Sequence, residues 1–198
     1  RFRVERSRAL VETWVREGRP VYGVTTGFGA LCSVAIPAEQ TRALQRNILL
    51  SHAAGVGSPL PEEVVRATMA VRVNDLARGL AGIRMETLEA LAALLNARVT
   101  PVVPEKGSVG ASGDLAPMAH LALVLTGEGE AFYMGGRMKG RDALAAARLD
   151  PIRLEAGEGL ALINGTQVMT GIAGLAVHDA ARLARTAGVT PGPALRSC

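Results

Sequence analysis

Residues 107–123 read GSVGASGDLAPMAHLAL and join a glycine-rich loop to an apolar run. The loop, residues 105–114, contains three glycines, a composition that favours an irregular segment over a helix or strand. The run from Ala116 to Leu125 is typical of a helix, because Ala and Leu lose little rotamer freedom there. Asp114 stands where a helix N-cap is expected. The sequence therefore predicts a shaped loop at the start of a helix.

Most of the remaining chain is also predicted to be helical, so the expected fold class is mainly α. Apolar residues recur at helical spacing, and prolines and glycines mark the boundaries. The predicted helices cover residues 4–17, 37–54, 61–80, 87–99, 116–125, 142–148 and 160–187. The last of them is Ala-rich with few polar interruptions, which indicates a helix buried on most sides.

Two segments depart from the helical pattern. Residues 21–34, VYGVTTGFGALCSV, hold three glycines and two aromatic residues and predict a structured loop. Residues 131–140, AFYMGGRMKG, predict a β-hairpin whose two-residue turn is Gly135-Gly136. Small β elements are therefore expected within a helical domain.

The composition excludes several classes of protein. Of the 198 residues, 48% are hydrophobic and 20% are charged, which suffices for a core and argues against disorder. The formal net charge is +4, but outside residues 1–8 the arginines are scattered among acids at helical spacing. Nucleic-acid binding needs a basic patch, so solvated helix faces are the favoured interpretation and no nucleic-acid partner is expected.

The sequence also predicts where the protein resides. Cys32 and Cys198 form no disulfide framework, and no signal-type segment opens the chain. Apolar runs stop short of the ~18 uncharged residues of a membrane span. A cytoplasmic protein without a membrane partner is expected.

Common loop chemistries do not fit the two glycine-rich segments. Neither segment contains a phosphate-binding fingerprint. A nucleophile elbow, G-x-S-x-G, would need glycine where Asp114 stands. The three histidines are not paired at metal-ligand spacing, so no zinc site is predicted.

The tripeptide Ala111-Ser112-Gly113 allows a different chemistry. A glycine amide nitrogen is the least hindered backbone nucleophile, and in a tight loop it could attack the carbonyl of Ala111. Loss of water then closes a five-membered ring, and loss of the Ser112 hydroxyl leaves an electrophilic exocyclic methylene. Taken alone, the tripeptide is common, and a flexible turn is the favoured interpretation.

The surrounding segments favour the cyclisation. They are YGVTTGFGAL (22–31), QRNILLSHAAGVG (45–57), GSVGASGDLAPMAHLAL (107–123) and LINGTQVMTG (162–171). In this order and at these separations they closely resemble the aromatic amino-acid ammonia-lyases, and among these most closely the histidine-specific members. The resemblance spans residues 4 to 187.

The resemblance implies a prosthetic group made from the chain itself. In that family the triplet matching Ala111, Ser112 and Gly113 cyclises to 4-methylidene-imidazole-5-one, abbreviated MIO. No metal or diffusible cofactor is implied. Asp114 follows the triplet in the family and is tied to the cyclisation. A role for Asp114 in helix capping is an equal alternative, and the two are compatible.

The resemblance also implies two further catalytic residues. Tyr22 matches the family's catalytic tyrosine, which takes part in proton transfer at the substrate. Asn164 matches the asparagine that binds the substrate and stabilises MIO. The alternatives are an ordinary loop tyrosine for Tyr22 and a helix cap for Asn164.

Substrate choice is implied by the pair Ser51-His52. Phenylalanine lyases of the family carry Phe-Leu there and tyrosine lyases His-Leu, whereas Ser-His matches the histidine lyases. An imidazole substrate needs a hydrogen-bonding partner, which an apolar side chain would not supply. The implied reaction is the non-oxidative removal of ammonia from L-histidine to give trans-urocanate. A lyase or aminomutase acting on tyrosine or phenylalanine, and a catalytically inactive fragment, remain alternatives.

The resemblance implies a domain organisation as well. Residues 1–155 would form the N-terminal domain that carries the MIO loop. Residues 156–198 would begin a central helix bundle, with a tail, 188–198, that departs from the family. Family members are longer homotetramers, and later segments supply a second tyrosine and an arginine for the substrate carboxylate. The chain is therefore expected to retain the MIO-forming region without a complete active site.

Overall fold

The computed structural model of the chain describes residues 1–37, 40–109 and 113–189. The α-helices in this part are α1 (Phe2–Arg16), α2 (Thr41–His52), α3 (Glu62–Ala77), α4 (Met85–Asn96), α5 (Leu115–Leu125), α6 (Gly140–Ala146), α7 (Glu158–Ile163) and α8 (Gln167–Val189), and a short 3-10 helix covers Gly29–Leu31. The strands are β1 (Val56–Pro59), β2 (Thr100–Pro101), β3 (Pro104–Lys106), β4 (Glu130–Tyr133) and β5 (Gly136–Lys139). The mainly α expectation is confirmed, and most predicted helices agree within a few residues.

Helix α5 forms the centre of the core. Eight of its eleven residues are buried, which explains why its sequence shows no polar face. It packs against α2 and α7 and also contacts α4 and α6. Met118 and Leu121 at its middle join Leu49 of α2 and Leu162 of α7 in one apolar cluster. The glycine-rich loop before α5 is thus attached to the most buried of the described helices.

The predicted hairpin is present, but its turn is shifted by one residue. Strand β4 pairs with β5 so that Tyr133 faces Gly136, which makes Met134-Gly135 the turn. Both turn residues have positive φ, 49° and 79°, as a type I′ turn requires. Fully buried Ala131 pairs with Met138 and fixes this register, since a slip of one residue would turn Ala131 outward. The prediction of a Gly135-Gly136 turn was wrong.

The predicted helix over residues 160–187 is two helices. Helix α7 ends at Ile163 and α8 begins at Gln167, and Asn164 between them has extended backbone angles. The first turns of α8 pack on α3. From residue 172 to 188 the side chains are exposed except for half-buried Leu175. Burial on most sides was therefore a wrong prediction, because an Ala-rich composition indicates a helix without specifying what covers it.

The remaining strands are short. β1 pairs with β3, and β2 joins β4 and β5 in a three-stranded antiparallel sheet. Across the described residues, no helix has both the length and the hydropathy needed to cross a membrane.

Candidate active site

Tyr22 and Asn164 line the same surface groove, which has a volume of about 930 Å³. Helix α1, the loop after it, α3 and the α7–α8 junction form its walls. The side chains of Trp14, Arg72 and Asp75 also face this groove. Two of the predicted site residues, from segments more than 140 positions apart, are therefore brought together.

The phenol of Tyr22 is held by its own loop. Its hydroxyl oxygen accepts a hydrogen bond from the backbone amide of Gly29 at 3.2 Å. The ring meets Phe28 edge to face, with 6.1 Å between ring centroids. Because the oxygen acts as acceptor toward Gly29, the hydroxyl proton is directed to another partner. The side chain remains 53% exposed, so a small molecule can reach it.

The loop that carries Tyr22 is structured, as predicted. The hydroxyl oxygen of Thr25 accepts from the amide of Val21 at 2.8 Å and donates to the carbonyl of Arg19 at 2.5 Å. Gly23 has a φ of +71°, and a β-carbon there would lie 2.4 Å from Leu160 of α7. A side chain at residue 23 would thus be strained by the positive φ and would displace the Leu160 and Phe28 side chains.

Asp114 connects the glycine-rich loop to α8. Its carboxylate is fully buried and accepts hydrogen bonds from the amides of Val168 at 2.8 Å and Met169 at 3.0 Å. The other carboxylate oxygen accepts from the hydroxyl of Ser108 at 2.6 Å. Asp114 is the N-cap residue of α5, but its side chain makes no capping bond there. The prediction that the Asp114 side chain caps α5 was wrong; its carboxylate instead caps the start of α8, 54 residues away in sequence.

Gly113 meets the α7–α8 junction backbone to backbone. It forms a parallel bridge with Gly165, and the next amide, that of Asp114, donates to the Gly165 carbonyl at 2.9 Å. Gly113 has a φ of +82°, and a β-carbon would lie 2.9 Å from that carbonyl oxygen. Only glycine fits this position. Ala111 and Ser112, predicted to complete the prosthetic group, lie outside the described residues.

Asn164 is the C-cap residue of α7. Its amide nitrogen donates to the carbonyl of Leu160 at 2.9 Å, and its backbone then turns to the extended region. The side chain is exposed and borders the groove. Asn164 thus ends one helix rather than opening the next.

Arg72 is a site residue that sequence reasoning missed. Only 2% exposed on α3, it donates to the carbonyl oxygens of Ala161 and Asn164, the latter at 3.0 Å, and to the Asp75 carboxylate at 3.2 Å. Burial lowers the pKa of the guanidinium to about 10, while the charge of Asp75 opposes that shift. A signal was available, since Arg72 falls at helical spacing on the apolar stripe of Val65, Met69 and Leu76.

Glu158 fixes the other end of α7 and was also missed. Its carboxylate is fully buried and accepts from the guanidinium of Arg84 at 2.8 Å and from the Thr87 hydroxyl at 2.6 Å. Two backbone amides, those of Arg84 and Glu155, complete its shell. Burial alone would raise the pKa of the Glu158 carboxyl, but these hydrogen bonds hold it below its usual value.

Ser51 and His52 lie apart from the groove, at the end of α2. The Nδ1 of His52 is 2.9 Å from the carbonyl oxygen of Ile48, which can only accept. Nδ1 therefore donates in this contact, and Nε2 is not the ring nitrogen that it uses. The Ser51 hydroxyl donates to the same carbonyl at 3.0 Å. In the described part of the chain, no three His, Cys, Asp or Glu side chains cluster as a metal site would need.

Comparison with known proteins defines the class. Residues 1–195 match the family described as aromatic amino acid lyase, and the chain belongs to that family. Its curated relatives include histidine ammonia-lyases of Symbiobacterium thermophilum, 58% identical over 96% of this chain, and Alkaliphilus oremlandii, 55% identical over 94%. The chain spans 37% of the length of each of these relatives.

Solved structures give the same fold. Phenylalanine aminomutase from Pantoea agglomerans superposes with a TM-score of 0.87 at 38% identity, covering 93% of this chain and 35% of that one. Histidine ammonia-lyase from Trypanosoma cruzi superposes with a TM-score of 0.84 at 39% identity, covering 92% and 35%. The interpretation of the four sequence segments as those of an ammonia-lyase family is confirmed.

Proposed function

We propose that this chain carries the part of a histidine ammonia-lyase that forms the prosthetic group and one side of the substrate site. The reaction is the non-oxidative elimination of ammonia from L-histidine to give trans-urocanate. The observation that carries this proposal is the contact of Gly113 and Asp114 with the α7–α8 junction, where Asn164 borders the groove shared with Tyr22. The names of the curated relatives support the substrate.

The prosthetic group in this proposal is MIO, formed from Ala111, Ser112 and Gly113. Two features of the described residues fit it. Gly113 has the positive φ that a tight loop demands, and it lacks the β-carbon that would overlap the Gly165 carbonyl. Asp114 fixes the end of the loop to α8. When present, MIO supplies the electrophile that captures the substrate.

The chain's own groups would bind the substrate and move protons. The exposed phenol of Tyr22 is suited to proton transfer at the substrate, because its proton is not donated to Gly29. The amide of Asn164 can both donate and accept, which suits binding of the substrate and of the prosthetic group. The Nε2 of His52 would accept a hydrogen bond from the N–H of a substrate imidazole, with Ser51 beside it.

A second candidate is an aminomutase or lyase for tyrosine or phenylalanine. The close superposition on a phenylalanine aminomutase favours it. The Ser51-His52 pair opposes it, because a phenyl ring has no hydrogen-bonding group for His52 to satisfy. We therefore rank histidine elimination first.

The proposal extends to the assembly and location of the protein. The apolar side chains of α8 that stay exposed, Met169, Ile172, Val177 and Leu183, form a surface suited to subunit contacts in a homotetramer. A cytoplasmic location is part of the proposal, and it is supported by the lack of a disulfide framework in a sequence with two cysteines.

The test compares substrates. The complete gene product is incubated with L-histidine, L-tyrosine and L-phenylalanine, and urocanate is followed by its absorbance while chromatography detects any β-amino acid. We expect urocanate from L-histidine, and an intact mass lower by two water molecules. Ser112→Ala is the matched control, since it lacks the hydroxyl that the dehydration removes. Preference for tyrosine or phenylalanine would favour the second candidate, and an unmodified mass would count against MIO.

The 198-residue chain is assayed in parallel. We expect it to carry the modified mass without producing urocanate, because the later segments of the family are needed for the carboxylate of the substrate. Urocanate formation by this chain alone would contradict that part of the proposal, and its unmodified mass would contradict formation of the prosthetic group.

A further inference from the structure

We propose that Arg72 is a positioning residue that sets the place of Asn164 through the end of α7. This inference rests on the proposed function only for the role of Asn164 itself. The contacts of Arg72 belong to the fold whatever the substrate is. The Arg72 guanidinium and the Asp75 carboxylate, both on α3, are together called the α3 clamp.

The α3 clamp touches both sides of the break between α7 and α8. Arg72 donates to the carbonyl oxygens of Ala161 and Asn164, at the negative end of α7. Oδ2 of Asp75 accepts from Arg72 at 3.2 Å and from the Nε2 of Gln167, the first residue of α8, at 3.2 Å. The junction of Asn164, Gly165 and Thr166 is thus held from α3 at both of its ends.

The chemistry of arginine explains why this residue type is needed. A planar guanidinium reaches two carbonyls and one carboxylate at fixed angles, whereas an ammonium is a point charge on a flexible stem. The Arg72 side chain is 3% exposed, and its Nε has no hydrogen-bond partner among the described residues. A glycine C-cap would end a helix without burying a charge. The buried charge therefore points to a requirement for fixed geometry at Asn164.

The position of Asn164 depends on two sets of contacts, which both reach the junction of residues 164–166. Asp114 and Gly113 hold the junction from the loop that would form the prosthetic group. The α3 clamp holds it through the carbonyl oxygens of Ala161 and Asn164 and the side chain of Gln167. Asn164 is therefore set relative to the loop by Arg72, and a shift of about 1 Å is enough to cost about 100-fold in the rate of a reaction.

The first experiment measures hydrogen exchange and needs no activity. Arg72→Lys is compared with Arg66→Lys, a matched control, since Arg66 also lies on α3 and donates to a helix-terminal carbonyl, that of Leu95, at 3.0 Å. In Arg72→Lys we expect the amides of residues 161–166 to exchange about tenfold faster, with α5 unchanged. The proposal would be overturned if Arg66→Lys accelerated exchange of residues 161–166 as much as Arg72→Lys does. It would also be overturned if Arg72→Lys accelerated exchange throughout α5.

A second variant, Asp75→Asn, tests the same contacts in case Arg72→Lys does not fold. Asp75 is 43% exposed at its side chain, so Asp75→Asn removes the negative charge of the α3 clamp without opening the core. We expect the same segment, 161–166, to exchange faster in this variant, with α5 unchanged. Unchanged exchange there would count against the α3 clamp as the source of the positioning.

The second experiment is a double-mutant cycle on kcat and KM in the complete gene product. If Arg72 acts through Asn164, Arg72→Lys lowers kcat by about 10- to 100-fold in the wild type but only about twofold in Asn164→Ala. Additive losses would overturn the proposal. The cycle uses whichever amino acid the gene product converts, so a preference for tyrosine contradicts the proposed substrate and not the role of Arg72. If no amino acid is converted, the proposed function fails and hydrogen exchange alone decides on Arg72.

Discussion

The carboxylate of Asp114 accepts a hydrogen bond from the backbone amide of Val168 at 2.8 Å, although the two residues lie 54 positions apart. The bond places a negative charge on the positive end of α8 in a site with no exposed surface. It also joins the end of the glycine-rich loop to the start of the helix that follows Asn164. Asp114 and Gly113 are therefore tied to the backbone on either side of the junction that follows the groove residue Asn164.

Substituting Asp114→Asn tests this link. Asparagine replaces one carboxylate oxygen, an acceptor, with an amide group that donates. The three described partners of the Asp114 carboxylate are themselves donors, so we expect a loss of about 2–3 kcal/mol in the free energy of unfolding. The dehydration detected by intact mass should fall as well, because the side-chain attachment of the loop to α8 is weakened. Asp179→Asn is the control, since Asp179 is exposed on α8 and its ion pair with Arg182 is long at 3.7 Å. We expect the free energy of unfolding of this variant to change by no more than about 0.5 kcal/mol. Equal losses from the two variants in urea unfolding would refute this account.

Gly113→Ala tests the close approach of the loop to Gly165. The new β-carbon would lie 2.9 Å from the Gly165 carbonyl oxygen. Gly135→Ala is a matched control, because its φ of +79° is similar to +82° at Gly113 and nothing lies within 4 Å of the new carbon. We expect about 1 kcal/mol of destabilisation at residue 135 from backbone strain and about 3 kcal/mol at residue 113 from strain and overlap together. Thermal unfolding of both variants measures the difference, and equal shifts would argue against the close approach.

Glu158→Gln tests the buried ion pair with Arg84. Breaking it leaves Arg84 without its buried partner, and we expect a loss of about 3–5 kcal/mol. Glu86 bonds to the same arginine but is 61% exposed at its side chain, so Glu86→Gln should cost less than about 1 kcal/mol. Since the pKa of Glu158 is held below its ordinary 4.5, its contribution is present above pH 4.5 and is lost as the pH falls further. Urea titrations at several pH values measure both effects. A loss in Glu86→Gln as large as that in Glu158→Gln would show that burial does not decide the cost.

His120 should make the free energy of unfolding depend on pH in a second, higher pH range. Its Nε2 accepts a hydrogen bond from the Gly55 amide at 3.1 Å, and burial lowers its pKa below the ordinary 6.5. The unfolded chain then binds the proton more readily than the folded chain, so stability falls as the pH drops below 6.5. This window lies above that of Glu158. In His120→Gln we expect the slope of unfolding free energy between pH 6.5 and 4.5 to flatten. An unchanged slope would assign the effect to other groups.

The sequence predicted what depends on neighbouring residues. Prolines and glycines marked most helix ends, and the crowded glycines of residues 21–34 correctly indicated a structured loop. The family was predicted correctly because four segments and their spacing had to match together. The hairpin register failed by one residue, since buried Ala131, not the glycine pair, selects the turn.

What failed depends on contacts between distant segments. The break after Ile163 has no proline, and only the structure reveals that carbonyls freed there are taken by Arg72. Asp114 looked like the cap of the helix next to it because local pattern cannot indicate a helix 54 residues away. The roles of Tyr22, Ser51, His52, Asn164 and the triplet at 111–113 stay predictions.

The contact between Gly113 and Gly165 has a consequence for the order of events during biosynthesis. A segment emerging from the ribosome cannot hold the loop in its final shape until α8 has also emerged and docked. Closing such a long interval is slow compared with forming local helices. Under the proposed chemistry, ring formation would follow tertiary folding. The fraction of dehydrated chain would then measure how much of the newly made protein has completed its folding.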